Sequence, residues 1–75
     1  MDQKVVLELT RAEAIVLDSL LARLEDDHSL QFKDQSEEYV LWIIEGMLEK
    51  KLHETFAPNY LEILAKAQEE VKNNY

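Results

Sequence analysis

The segment from Ser36 to His53 constrains this chain most, because it predicts a helix that is apolar on nearly every side. Its apolar residues are spread around the helical wheel: Tyr39, Val40, Leu41, Ile43, Ile44, Met47, Leu48 and Leu52. A helix with so wide an apolar surface normally packs against neighbours on several flanks. The pattern therefore predicts that this segment, helix 2, lies at the centre of the fold.

Gly46 interrupts this predicted helix. A glycine in a helix interior costs about 1 kcal/mol relative to alanine. We expect a compensating close approach at this position, by another backbone or by a ring such as that of Tyr39 or Trp42.

The N-terminal segment predicts a short β-strand over residues 4–9. Alternation places Val5, Leu7 and Leu9 on one face of this strand. A second short strand is predicted near residues 30–33, where Leu30 and Phe32 alternate with polar residues.

Two further helices flank helix 2 in the prediction. Thr10 and Glu13 have capping-box spacing, which predicts helix 1 from Arg11 to about Glu25. Its apolar stripe is Ala14, Leu17, Leu20, Leu21 and Leu24. Ile15 falls outside this stripe and is either a lone surface residue or part of a contact with something else. Asp34 and Ser36 are competing caps for helix 2.

Helix 3 is predicted to begin near Pro58, because proline suits the first turn of a helix. Its apolar stripe is Tyr60, Leu64, Ala67 and Val71. The fold class expected is therefore α+β and mainly α, with an N-terminal strand followed by three helices in a single domain, residues 1–75.

The length of 75 residues favours association with a second chain. A domain of this size buries only about 60% of its unfolded surface. A lone strand must also pair, either with residues 30–33 or with the same strand of a second copy. We favour the second arrangement, a homodimer in which Val5, Leu7 and Leu9 belong to the paired strand.

Composition excludes several functions. The chain has no Cys and one Gly, which rules out a disulfide scaffold, a thiol nucleophile and a glycine-rich phosphate loop. A net charge of -8 repels nucleic acid and favours a basic partner. No apolar run is long enough to span a membrane, and the N-terminus does not resemble a secretory signal, so we expect a cytoplasmic protein.

A candidate partner-binding patch lies on helix 2. Its members are Tyr39, Trp42 and the only uniformly polar stripe of the helix, Glu38, Glu45 and Glu49. Aromatic residues at such a boundary are enriched in interface hot spots. In the alternative interpretation, Trp42 packs beneath helix 3 and the carboxylates are solvated.

No arrangement of residues points to catalysis or to a cofactor. Glu49 and His53 have the i,i+4 spacing of metal ligands, but the sequence places no third ligand beside them. Neither the serines nor the paired carboxylates match a catalytic motif. We expect no enzyme activity, no cofactor and no metal.

The strand–helix–helix order of residues 4–52 resembles that of ribbon-helix-helix proteins. This resemblance implies a dimer that reads DNA with its paired strands. The outward face here carries Lys4, Val6 and Glu8, which suits neither base edges nor phosphates. We therefore do not expect DNA binding.

Three strings are similar to those of short acidic bacterial proteins of unassigned role: LELTRAEA, EEYVLWIIEGMLE and FAPNY. This resemblance implies no activity. The function expected is a non-enzymatic protein–protein interaction module. The alternatives are an acidic antitoxin- or immunity-type inhibitor of a basic protein and a ribbon-helix-helix-like regulator.

Overall fold

The computed structural model describes residues 1–27 and 31–75, which form three α-helices. They are α1 (Arg11–Asp27), α2 (Gln35–Lys51) and α3 (Tyr60–Asn74), and a single 3₁₀ turn, Glu54–Phe56, connects α2 to α3. These residues contain no β-strand. The prediction of a mainly helical chain is confirmed, and the prediction of an α+β fold with an N-terminal strand is wrong.

The absence of the strand has a physical reason. A strand persists only where its amides and carbonyls pair with a neighbouring strand. Residues 31–33 were the predicted partner within the chain, and they form no strand; Leu30 lies outside the described residues. Residues 4–9 are accordingly exposed and belong to no helix or strand. The pairing of Val5, Leu7 and Leu9 with a second copy stays a prediction.

The ribbon-helix-helix resemblance depended on a strand over residues 4–9. Since the structure has no strand there, the fold does not support a DNA-reading ribbon. The N-terminal segment instead leads directly into α1.

Local hydrogen bonds cap the N-termini of α1 and α2 at the positions that the capping patterns predicted. The amide of Thr10 donates to Glu13 Oε1 at 2.8 Å, and the amide of Glu13 donates to Thr10 Oγ1 at 3.1 Å, which confirms the capping box. Asp34, rather than Ser36, caps α2, because its Oδ2 accepts from the Ser36 amide at 2.9 Å.

The core forms where α1 meets α3, and α1 also packs on α2. Four residues are buried at its centre: Ala12, Ile15, Leu52 and Ala67. Ile15 is only 4% exposed, so of its two predicted roles the second is confirmed: it belongs to a contact outside the predicted stripe and is not a surface residue. The reason is that α1 has helical neighbours on two flanks and therefore buries a wider arc than one stripe.

Helix α2 is not central, contrary to the prediction. None of its residues from Gln35 to Lys51 is buried. Leu52, the residue that follows the helix, is instead fully packed in the core. Helix α2 contacts α1 along one side, so most of its apolar surface has no neighbour in the described part of the chain.

Helix α3 begins at Tyr60, two residues after Pro58, with Asn59 as its N-cap. Ala67 of the predicted stripe is buried, and Tyr60, Leu64 and Val71 are partly buried, which confirms this stripe. In this arrangement, α1 lies in the middle and α2 at the periphery. One side of α2 therefore faces solvent.

Candidate interaction surface

The outward side of α2 carries an exposed apolar surface, the α2 face. Its members are Tyr39, Val40, Trp42, Ile43, Ile44 and Met47, each at least 36% exposed. Monomeric proteins seldom expose so many large apolar side chains together, and contiguous patches of this kind mark interaction sites. The α2 face is therefore the candidate functional site.

The geometry of α2 explains why this side stays open. The side turned toward α1 carries Leu48, which packs against the core, and the chain then reaches the core again at Leu52. These two residues anchor the C-terminal part of α2. Their anchoring uses only one flank of the helix, because α2 packs chiefly on α1.

Two predicted partner-binding residues, Tyr39 and Trp42, lie on this face. Their ring centroids are 5.7 Å apart with a 45° tilt between the planes, within the range of favourable aromatic pairs. Trp42 is 49% exposed and Tyr39 is 47% exposed. The interpretation in which Trp42 is buried beneath α3 is therefore wrong.

Gly46 lies on the same side of α2, one turn after Trp42. A Cβ atom built on Gly46 meets no atom within 4 Å. The predicted close approach of a ring or a second backbone is therefore not made within the described chain. The glycine weakens the helix by about 1 kcal/mol, and no contact at its Cβ position among residues 1–27 and 31–75 offsets this cost.

The whole chain exposes more surface than its mass requires. Its accessible area is 6691 Å², whereas a compact monomer of 8.8 kDa exposes about 4,800 Å². The radius of gyration, 13.8 Å, also exceeds the roughly 11 Å of a compact domain of this length. The chain thus exposes about 1,900 Å² more than a compact monomer, and the N-terminal segment and the α2 face are among the regions that contribute to this excess. A standard interface takes about 800 Å² per partner.

The predicted acidic stripe has a different setting from the α2 face. Glu45 and Glu49 line a groove of about 220 Å³ between α1 and α2, together with Asp18 and Glu25 of α1. Glu38, the third member of the stripe, does not line this groove, although it is partly buried. Carboxylates from two helices therefore face one another across the groove.

This crowding changes the protonation of Glu45. Burial, a hydrogen bond with Glu25 and the nearby carboxylates of Glu25, Asp18 and Glu49 together raise the pKa of Glu45 to about 7. Its Oε1 atom is buried and has no hydrogen-bond partner in the described part of the chain. Burial and Glu49 likewise raise the pKa of Asp18. At neutral pH, the groove therefore carries less than its full formal charge.

The sequence prediction missed the contribution of α1 to this groove. Asp18 and Glu25 are seven residues apart, which places them on one side of a helix, and this spacing could have indicated an acidic row on α1. What the sequence did not show is that this row faces Glu45, because the rotation of α1 follows from its packing on α3.

Glu49 and His53 do not share a helix. Helix α2 ends at Lys51, and Leu52 has an extended backbone with φ -109° and ψ 108°. His53 therefore lies beyond the last helical turn, and the predicted i,i+4 relationship is broken. Among residues 1–27 and 31–75, no three histidine, aspartate or glutamate side chains are grouped so that they could hold a metal ion.

None of the helices in the described residues has the length and apolarity needed to cross a membrane. The chain matches no protein-family profile, no curated protein and no solved structure.

Proposed function

We propose that the protein is a non-enzymatic protein–protein interaction module that forms a homodimer through the α2 face. The observation that carries this proposal is the exposure of six large apolar side chains on one side of a single helix. Removing apolar surface from water is the main favourable contribution to most protein association. Tyr39 and Trp42 supply the aromatic contacts that dominate many interfaces.

A second copy of the chain is the partner that this surface fits best. The excess accessible area is large enough for a standard interface, and homodimer interfaces are more apolar than transient ones. The six members of the α2 face include no charged residue. The apolar members themselves therefore add no charge repulsion to the interface, although the exposed Glu49 and Lys50 border the face and each chain carries a net charge of -8.

The experiment that tests this proposal measures mass and Trp42 fluorescence together. Trp42 is the single tryptophan of the chain and reports directly on the α2 face. Sedimentation equilibrium from low to high micromolar concentration is expected to show conversion of monomer to dimer. Trp42 emission is expected to move to shorter wavelength over the same concentration range. A chain that stays monomeric throughout would contradict the proposal.

A charged substitution on the α2 face provides the matched comparison. Ile43 is 55% exposed and outside the core, so Ile43→Asp is expected to abolish the dimer while the helical circular dichroism of the monomer is retained. Leu61→Asp introduces the same charge on the exposed surface of α3. It is expected to leave the dimer intact. If the two substitutions weaken the dimer equally, the α2 face is not the dimer interface.

Deletion of residues 2–9 separates the α2 face from the N-terminal segment. These residues are exposed and contribute no helix, so the deletion is expected to preserve both the fold and the dimer. Loss of the dimer with the helices intact would assign the interface to the N-terminal segment, and would overturn the role of the α2 face.

The acidic groove favours a second candidate function, inhibition of a basic protein. Asp18, Glu25, Glu45 and Glu49 line one groove, and the net charge of -8 attracts cations over a longer range. A lysine-rich peptide is expected to bind with an affinity that falls as salt rises. The double substitution Glu25→Gln, Glu49→Gln is expected to weaken this binding. Equal affinity for the wild-type chain and the double variant would exclude the groove as the binding site.

A further inference from the structure

We infer that the α2 helices of two copies cross at Gly46, with each glycine providing the space into which the other helix packs. This inference rests on the homodimer proposed above and specifies its geometry. It identifies the point of contact, and it assigns a role to a glycine that has none within a single copy.

The first observation is the position of Gly46 within the α2 face. Trp42 lies one turn before it, Ile43 three residues before it and Met47 next to it, and all three side chains are exposed. Residues three and four apart lie side by side on a helix surface. Gly46 is therefore bordered by Trp42 and Ile43 on its N-terminal side and by the exposed, charged Glu49 and Lys50 on its C-terminal side, and it forms a depression at this edge of the face.

The second observation is that the space above Gly46 is empty. A Cβ at this position would meet no atom within 4 Å, so packing inside one copy does not require a glycine. Gly46 is also the only glycine in the 75 residues, and it interrupts a helix that is otherwise well capped. A missing side chain permits the close approach of another backbone. The distance between two packed helices depends on the side chains at their contact point.

The third observation concerns the edges of this depression. Tyr39 and Trp42 pack against each other, with ring centroids 5.7 Å apart, before Gly46 along the helix. A paired set of rings has fewer accessible rotamers than isolated side chains, so it presents a preorganised surface to an incoming helix. The crossing at Gly46 would bring the rings of each copy against the apolar residues of the other.

The test is Gly46→Ala, because the inference predicts effects of opposite sign on the monomer and on the dimer. In the monomeric Ile43→Asp background, the added methyl group enters empty space and improves helix propensity. The urea midpoint of that monomer is expected to rise. In the otherwise wild-type chain, the same methyl group separates the crossing helices, and the dissociation constant of the dimer is expected to rise roughly tenfold or more.

Gln68→Ala is the control, since it raises helix propensity on the exposed side of α3, away from the α2 face. It is expected to leave the dissociation constant unchanged. If the wild-type chain dimerises and Gly46→Ala dimerises equally well, the crossing at Gly46 is wrong and the proposed function stands. If the wild-type chain does not dimerise, the proposed function itself fails.

Discussion

Arg11 and Glu54, 43 residues apart, tie the first turn of α1 to the 3₁₀ turn before α3. Arg11 Nη2 donates to Glu54 Oε1 at 2.7 Å, and Arg11 Nε donates to the other carboxylate oxygen. The same Nη2 donates to the Lys51 carbonyl at 3.1 Å. One guanidinium thereby joins the beginning of α1, the end of α2 and the connection to α3.

Glu54→Gln is expected to lower stability at neutral pH and to have no effect in strong acid. The hydrogen bond from Arg11, together with a backbone hydrogen bond and the charge of Arg11, lowers the pKa of Glu54 from 4.5 to about 2. A lowered folded-state pKa stabilises the fold above the unfolded value, and this contribution is lost as pH falls from about 4.5 to about 2. Urea midpoints of the variant and the wild-type chain across this range measure the effect. A difference that is as large at pH 2 as at neutral pH would contradict it.

Glu45→Gln is expected to stabilise the protein above pH 7. Burial and the neighbouring carboxylates raise the pKa of Glu45 from 4.5 to about 7, so its contribution to stability is present below about 4.5 and is lost as pH rises through 7. Glutamine cannot ionise, and the variant should lose less stability over this interval. Urea midpoints across this interval measure the effect, with Glu62→Gln, an exposed position on α3, as the control. Parallel pH profiles for Glu45→Gln and the wild-type chain would refute this prediction.

Thr10→Ala is expected to destabilise the protein by about 1 kcal/mol, the typical effect of removing an N-cap side chain. The substitution removes the acceptor of the 3.1 Å hydrogen bond from the Glu13 amide. Thr10→Ser keeps the hydroxyl and should retain most of the stability. The two free energies of unfolding can be compared by urea titration, and equal losses would show that the hydroxyl is not responsible.

Leu52→Ala is expected to unfold most of the protein. Leu52 is 2% exposed in the core, and truncation of a buried leucine costs about 2–5 kcal/mol. A domain of this size has only about 3–5 kcal/mol available from its core. Leu61 is 78% exposed, so Leu61→Ala should change stability by less than about 0.5 kcal/mol. Far-ultraviolet circular dichroism is expected to show loss of helix for Leu52→Ala and a native spectrum for Leu61→Ala. Similar helical spectra for the two variants would contradict the prediction.

The features that were predictable from the sequence depend on residues close together in the chain. The Thr10–Glu13 capping box connects residues three apart, and its hydrogen bonds form wherever a helix begins at this point. The apolar stripe of α3 was likewise predictable, because α3 has one dominant neighbour and buries one side. For the candidate site, the sequence identified Tyr39 and Trp42, since aromatic residues beside a polar stripe indicate an interface.

The sequence alone determined where the helices form and which of their sides are apolar, because capping and helical periodicity are local properties. Only the tertiary structure decided which apolar sides are buried, because burial depends on which helices meet. Helix α1 packs on both α3 and α2, so Ile15 is enclosed, whereas the wider apolar surface of α2 has a neighbour on one flank. The same packing decided that Glu45 faces the carboxylates of α1 and that Gly46 faces solvent.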